Sequence, residues 1–146
     1  MQEGVARELR KMSDLVVLDT NIFVSYLLPS KRISAVKIVV TEILKGKATP
    51  VFSDAIISEY NRVLRYKKFG FSQNKVQDLL DAVFEKGFCV SPDESDVSFV
   101  DKSDKCFYDA AVAASAKWLI TGNKRHFPHE PFIVTAAEYL DLTKDV

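Results

Sequence analysis

Cysteine and histidine are scarce in this sequence. Two residues of each type occur among 146, and Cys89 and Cys106 lack the Cys-x-x-Cys or Cys/His spacing that binds zinc. Both cysteines lie in apolar stretches, so we expect buried free thiols rather than zinc ligands. With so little histidine, a Ser-His-Asp mechanism has little material to work with.

Long apolar runs and net charge are also missing. No run approaches the roughly 20 residues that a helix needs to span a bilayer, and residues 1–14 carry too many charges for a signal peptide. We therefore expect a soluble cytoplasmic protein with no membrane partner. The 20 basic and 20 acidic side chains balance, so the whole chain offers no basic field for nucleic acid. Acids clustered at one site with bases around it would still attract phosphate.

What the sequence does contain is an alternation of short apolar runs and amphipathic stretches. Strands are predicted at residues 15–19, 49–53 and 88–91. Residues 118–123 are predicted to form a fourth strand and a turn, and a short fifth strand is predicted near Ile133. Helices are predicted between and after them. The pattern predicts one α/β domain, a three-layer α/β/α sandwich with a mainly parallel central sheet of four to five strands.

Several polar side chains are positioned to begin these helices. Thr20 or Asn21 is expected to cap the first helix, and Ser53 or Asp54 the helix after the second strand. Ser72 and Thr135 are expected to cap two later helices, the second of which is the last in the chain.

Acidic and amide side chains follow the predicted strands. Asp19 ends the first strand, Glu59 lies in the helix after the second, and Asn123 follows the fourth. Asp101 and Asp104 precede an alanine-rich helix. Ligands of parallel sheets bind at the carboxyl ends of the strands. Hard oxygen ligands converging there suit Mg²⁺ or Mn²⁺.

Such a metal site suits the hydrolysis of phosphodiesters. A metal held by carboxylates lowers the pKa of a bound water and stabilises charge on the leaving oxygen, so no protein nucleophile is needed. The nearby hydroxyls and amides of Thr20, Asn21, Ser58 and Thr121 are candidates for positioning water or the RNA backbone.

Three motifs carry a resemblance to a known family: VVLDTNIFVSYLL, SEY and DKSDKCFYDAAVAASAKWLITGN. Together they resemble the PIN domain family over about residues 15–142, and their order is similar to that of the toxins of type II toxin-antitoxin pairs. The resemblance implies one PIN-like domain over residues 1–146, with residues 1–13 as a peripheral N-terminal segment.

By this resemblance Asp19, Glu59 and Asp104 match the three family acids and would be catalytic metal ligands, and Asn21 matches a companion amide. Many relatives carry an aspartate at the position of Asn123. An amide there still coordinates through its carbonyl oxygen but adds no negative charge. Asp101 is the candidate to supply part of that missing charge.

The function implied is that of a metal-dependent endoribonuclease, the toxin of a toxin-antitoxin pair. Its partners would be an RNA substrate, a cognate antitoxin and a second copy in a homodimer. Lys124 and Arg125, with His126, form one small basic group that would contact RNA. Arg62, near Tyr66, belongs to a second.

Simpler explanations exist for each site residue. Asp19 would also serve as a helix N-cap, Glu59 as a solvated surface residue, and Asp104 as a partner of the helix dipole. The Gly-Asn turn at Asn123 is also explained if both residues adopt positive φ. Asp109 is expected to face outward or to support the site.

Two other functions remain open. A PIN-like RNA-binding or regulatory protein without catalysis is consistent with the missing charge at Asn123. A phosphatase with Asp19 as covalent nucleophile ranks low, because such enzymes generally carry a second aspartate two residues on and this chain has Asn21 there.

Overall fold

The computed structural model of the protein describes residues 13–30, 32–99 and 101–144. The peripheral segment predicted for residues 1–13 therefore lies, except for Ser13, outside the described residues. Within the described part of the chain, no helix is long and apolar enough to cross a bilayer.

Five parallel strands form the central sheet, which confirms the predicted fold class and the upper strand number. They are β1 (Asp14–Leu18), β2 (Ala48–Phe52), β3 (Phe88–Cys89), β4 (Trp118–Ile120) and β5 (Ile133–Val134). The order is β3-β2-β1-β4-β5. The central strand β1 is apolar throughout its second half, where Val16, Val17 and Leu18 are at most 1% exposed. Because successive side chains of a strand point to opposite faces, both faces of the sheet are covered.

Six α-helices surround this sheet in the described residues: α1 (Thr20–Leu27), α2 (Ala35–Leu44), α3 (Asp54–Leu64), α4 (Gln73–Lys86), α5 (Lys102–Ala114) and α6 (Ala136–Thr143). Ser53, Ser72 and Thr135 cap α3, α4 and α6 as predicted, each accepting a hydrogen bond from the backbone N–H three residues later. The prediction for α1 was wrong. Asp19, rather than Thr20 or Asn21, occupies the N-cap position, and its side chain makes no capping hydrogen bond.

The third strand is shorter than predicted and lies at the edge of the sheet. It ends at Cys89 rather than at residue 91. Gly87, just before it, packs so closely on β2 that a Cβ there would lie 2.0 Å from the carbonyl oxygen of Pro50. Glycine is required by this close approach.

The prediction of two buried thiols is wrong for Cys89. An edge strand of two residues leaves one side open, so the Cys89 side chain is exposed and its Sγ lies 3.9 Å from Oδ1 of Asp54. Cys106 on α5 is half-buried, and both thiols are free.

Candidate metal centre

The pairing of β1 with β4 brings Asp19 and Thr121 together. Leu18 is opposite Ile120 in this pair, so the two polar residues that follow them leave the sheet side by side. Asp19 is 5% exposed and Thr121 is fully buried. The Thr121 hydroxyl donates a hydrogen bond of 2.7 Å to Oδ2 of Asp19.

The surroundings of Asp19 work against its ionisation. Burial raises its pKa from 3.8 to about 6, and the negative charge of Asp104 adds to this effect. The Thr121 hydroxyl and the backbone amides of Thr20 and Asn21 lower the pKa. Asp19 and Asp104 are thus close enough for their charges to repel, a repulsion that a cation between them would relieve.

Asp104 lies in the first turn of α5, facing the same edge of the sheet. Burial raises its pKa, as do the charges of Asp101 and Glu59, whereas His126 lowers it. Its Oδ2 atom is buried and accepts no hydrogen bond from a described residue. Nδ1 of His126 lies 3.3 Å from this oxygen and forms an ion pair with it when the imidazole is protonated. This oxygen therefore has room for a further partner.

Glu59 is near these acids but already has a partner. Both of its carboxylate oxygens lie 2.7 Å from Nη2 of Arg62, which donates to them from the next turn of α3. Its charge still raises the pKa of Asp104. Residues 13–30, 32–99 and 101–144 contain no group of three or more His, Cys, Asp or Glu side chains arranged to hold a metal. Asp19 and Asp104 come together here, and Arg62 holds the third predicted acid.

Asp101 serves as the N-cap of α5. Its Oδ1 accepts hydrogen bonds from the backbone N–H and the hydroxyl of Ser103, at 2.9 and 2.7 Å. These bonds lower its pKa, so it is a carboxylate whose charge reaches Asp104. One of its oxygens is thereby occupied.

Asn123 is exposed at the end of the turn after β4. Its backbone N–H donates to Oγ1 of Thr121 at 2.9 Å. The conformational explanation for this turn was wrong, because Asn123 has φ −134° and Gly122 also lies outside the positive-φ region. An amide therefore stands at this edge of the sheet.

Two further predicted residues flank Asp19. The Asn21 side chain accepts a hydrogen bond of 3.1 Å from the backbone N–H of Gly122, which fastens the start of α1 to the turn after β4. Oγ1 of Thr20 is buried and without a hydrogen-bond partner among the described residues. Ser58 is exposed on α3.

Two residues, Asp109 and His126, have surroundings that differ from those predicted. Asp109 is buried rather than outward-facing, and its Oδ1 accepts a hydrogen bond of 3.3 Å from the backbone N–H of Ser95. It therefore anchors the loop before α5, and its place beside the apolar residues Ala110 and Ala111 was a signal of burial. His126 was grouped with the surface bases, but it contacts Asp104.

The predicted RNA-contacting residues are in different states. Arg62 is paired with Glu59, and Nζ of Lys124 lies 3.0 Å from the Glu138 carboxylate on α6. Arg125 is exposed and forms no ion pair within the described residues.

The donors at this edge fit a hard divalent cation. Mg²⁺ is commonly bound through one or two carboxylates and keeps several waters. Asp19 and Asp104 are two such carboxylates, and the buried Oδ2 of Asp104 has His126 as its one neighbouring cation among the described residues. The buried Thr20 hydroxyl has no hydrogen-bond partner in the same part of the chain. A metal with two protein carboxylates is therefore compatible with this site.

These features describe an α/β protein in which the buried Asp19 and the half-buried Asp104 come together at the carboxyl edge of the sheet. Residues 15–125 match the sequence profile of the PIN domain. Since this match covers well over half of the chain, the protein belongs to the PIN domain family.

A solved structure is similar to the chain in fold: VapBC2 from Rickettsia felis, bound to a DNA fragment from the promoter of its own genes. The match has 20% sequence identity and a TM-score of 0.52, and it covers 83% of this chain and 96% of the other. At this identity the likeness supports the fold alone. No curated protein matches the sequence.

Proposed function

We propose that this protein is a metal-dependent endoribonuclease. The observation that carries the proposal is the buried Asp19 carboxylate, held by Thr121 and electrostatically coupled to Asp104 at the carboxyl edge of a PIN domain. PIN domains are typically nucleases and typically bind divalent metals.

Asp19 and Asp104 would hold Mg²⁺ or Mn²⁺ as carboxylates. When bound, such an ion supplies an activated water and stabilises charge on the leaving oxygen of a phosphodiester. Glu59 would join these ligands if its carboxylate left Arg62. Asn123 would offer a carbonyl oxygen, and Asp101 would add negative charge nearby.

The remaining residues of the site hold these groups in place. The Thr121 hydroxyl fixes the orientation of Asp19 and favours its ionised form. Asn21 fastens the turn after β4, which carries Asn123. Thr20 has a buried hydroxyl free to orient a water near Asp19.

The proposed partners follow from the family and its structural neighbour. VapBC2 was crystallised with promoter DNA, and the motif order of this chain is similar to that of toxins. We therefore assign to this protein an RNA substrate, an antitoxin partner and homodimeric assembly in the cytoplasm. The antitoxin would block the acidic edge.

A second function is favoured by two specific observations. Asn123 adds no charge, and Glu59 is neutralised by Arg62. A PIN domain with a weakened metal site would bind RNA or regulate without cutting it.

Cleavage of a labelled single-stranded RNA with Mn²⁺, with Mg²⁺ and with EDTA distinguishes the two functions. We expect metal-dependent cleavage that Asp19→Asn and Asp104→Asn each abolish, with Asp96→Asn on the exposed loop as the matched control. RNA that is bound but never cut would identify the second function. Cleavage that persists in EDTA, or in the Asp19 variant, would contradict the proposed mechanism.

A further inference from the structure

A cavity of about 310 Å³ lies between α3 and α5, beside the acidic edge. Its lining residues come from one face of α3 and from the first turns of α5: Ala55, Ser58, Glu59, Arg62, Lys102, Ser103 and Cys106. The α3 residues recur at intervals of three and four, the spacing of a single helix face. Glu59 belongs to both the cavity and the acid cluster, so the two are contiguous.

The walls of this cavity combine cations with an apolar floor. Lys102 forms no ion pair in the part of the chain that the structure describes. Arg62 forms an ion pair with Glu59 and also donates a hydrogen bond to the Tyr66 hydroxyl. The Cys106 side chain is half-buried and lines the cavity as a free thiol. With Ala55 it offers an uncharged surface suited to the face of a base.

The cavity would carry more positive charge if the neighbouring acids bound a metal ion. If Glu59 turns to a divalent ion, Arg62 loses its carboxylate partner. Arg62 and Lys102 then both face the cavity as available cations, which suits a phosphate next to the scissile bond.

We propose that this cavity is a subsite for one unpaired nucleotide of single-stranded RNA, with Lys102 contacting its phosphate. The proposal rests on the ribonuclease function proposed above and names the form of RNA that the site takes. The volume falls at the lower end of the roughly 300–1,000 Å³ range of ligand pockets. A base enters a cleft between two helices only when it is free of a partner strand.

A neighbouring cavity, whose lining includes Lys105 and the acids Asp54, Glu94 and Asp109, adjoins the first. It has about 360 Å³ and shares Ala55, Lys102 and Cys106 with the first. Lys102 thus lies where the two cavities join. On the other side, the guanidinium of Arg62 lies 5.5 Å from the centre of the Tyr66 ring, which itself stacks on Phe69. An aromatic and cationic surface of this kind favours single strands.

The test compares Lys102→Ala and Ala55→Leu with Lys86→Ala in the full chain. Lys102 and Ala55 occupy exposed helix positions, where substitutions to Ala and Leu are tolerated. Lys86 lies just before β3, at the edge of the sheet opposite the acids. The first variant removes the cation, and the second fills the cavity without changing charge. The probe is a fluorescein-labelled single-stranded uridine heptamer, with a fully paired duplex of equal length beside it.

Fluorescence anisotropy in EDTA measures binding without cleavage. We expect Lys102→Ala and Ala55→Leu each to weaken heptamer binding about fivefold, or roughly 1 kcal/mol, while Lys86→Ala matches the wild type. For Lys102→Ala, the slope of log K against log salt should fall by about 0.7, the value for one phosphate contact on a single strand. In Mn²⁺ the same two variants should raise KM and leave kcat within a factor of two.

The outcomes separate this subsite from the proposed hydrolysis. If the wild-type protein cuts no RNA but the Lys102 and Ala55 variants still bind it more weakly, the subsite stands and the nuclease proposal is wrong. If the wild-type protein cuts RNA but both variants bind RNA like Lys86→Ala, the nuclease proposal stands and the subsite is wrong. Equal binding of duplex and single strand also overturns it.

Discussion

The hydroxyl of Thr121 donates to the carboxylate of Asp19 at 2.7 Å, across 102 residues of sequence. Adjacent parallel strands end beside each other, and this contact joins the ends of β1 and β4. The same hydroxyl accepts the backbone N–H of Asn123. The Thr121 side chain thus orients both Asp19 and the turn that carries Asn123.

Replacing Thr121 by Val should leave the Asp19 carboxylate without its side-chain donor. We expect the pKa of Asp19 to rise above about 6, because burial then acts with less opposition. The free energy of unfolding should fall by about 1–3 kcal/mol, as for other buried groups that lose a hydrogen-bond partner. Carboxyl ¹³C NMR titration and urea denaturation measure the two effects. Thr121→Ser keeps the hydroxyl, so an equal pKa in the Val and Ser variants would contradict this role.

Stability without metal should depend on the ionisation of Asp19. Its pKa is about 6 in the folded protein against 3.8 as the ordinary value, so the folded state binds the proton more tightly than the unfolded state does. The contribution is fully present below pH 3.8 and is lost as pH rises through about 6, by up to roughly 3 kcal/mol. Asp19→Asn should therefore stabilise the metal-free protein at pH 7.

Urea unfolding in EDTA at pH 5 and pH 7 tests this sign. The gain from Asp19→Asn should be larger at pH 7 than at pH 5, and Asp96→Asn on the exposed loop should give no such difference. If Asp19→Asn destabilises the protein at pH 7, the fold does not disfavour the ionised form of Asp19.

Arg62 should compete with a divalent cation for Glu59. Arg62→Ala removes the only ion-pair partner of Glu59 among the described residues, so we expect Mn²⁺ to bind more tightly in the absence of RNA. Because the arginine of this ion pair is solvent-exposed, the pair contributes little and stability should change little. Isothermal titration calorimetry measures the Mn²⁺ affinity.

Arg65→Ala is the matched control, because the Arg65 guanidinium lies one turn further along the chain and binds the side chains of Asn61, Gln73 and Gln77. It should leave the affinity unchanged. If the two arginine variants bind Mn²⁺ alike, Glu59 is not part of the metal site.

Asn123→Asp should add a negative charge at the carboxyl edge of the sheet. A fourth acid at the edge strengthens the attraction of a divalent ion, so Mn²⁺ should bind more tightly and RNA cleavage should rise. Without metal the added charge lies near other acids and should lower stability. Asn74→Asp adds the same charge at the start of α4 and controls for net charge. Unchanged affinity in Asn123→Asp would exclude position 123 from the site.

Much of the fold could be predicted because local patterns agree with it. The apolar run before Asp19 is buried on both faces, and three of the helix caps were identified from sequence. Strand ends were less predictable, since β3 is paired with β2 at only two described positions and ends early. That edge position also left Cys89 exposed.

The sequence supplied candidate residues for the site but not the contacts between them. Position after a strand identified Asp19, whereas its bond to Thr121 depends on which strands are neighbours. The pairing of Glu59 with Arg62 follows from their spacing of three residues in one helix and was accessible from sequence. The contact between His126 and Asp104 was not, because it joins a turn after β4 to the start of α5.

The most direct test of the central claim is the anomalous signal of Mn²⁺ soaked into crystals of the protein. We predict a peak in contact with carboxylate oxygens of both Asp19 and Asp104, and no peak there in crystals of Asp104→Asn. A site free of anomalous signal at saturating Mn²⁺, or a peak that contacts neither carboxylate, would contradict the account.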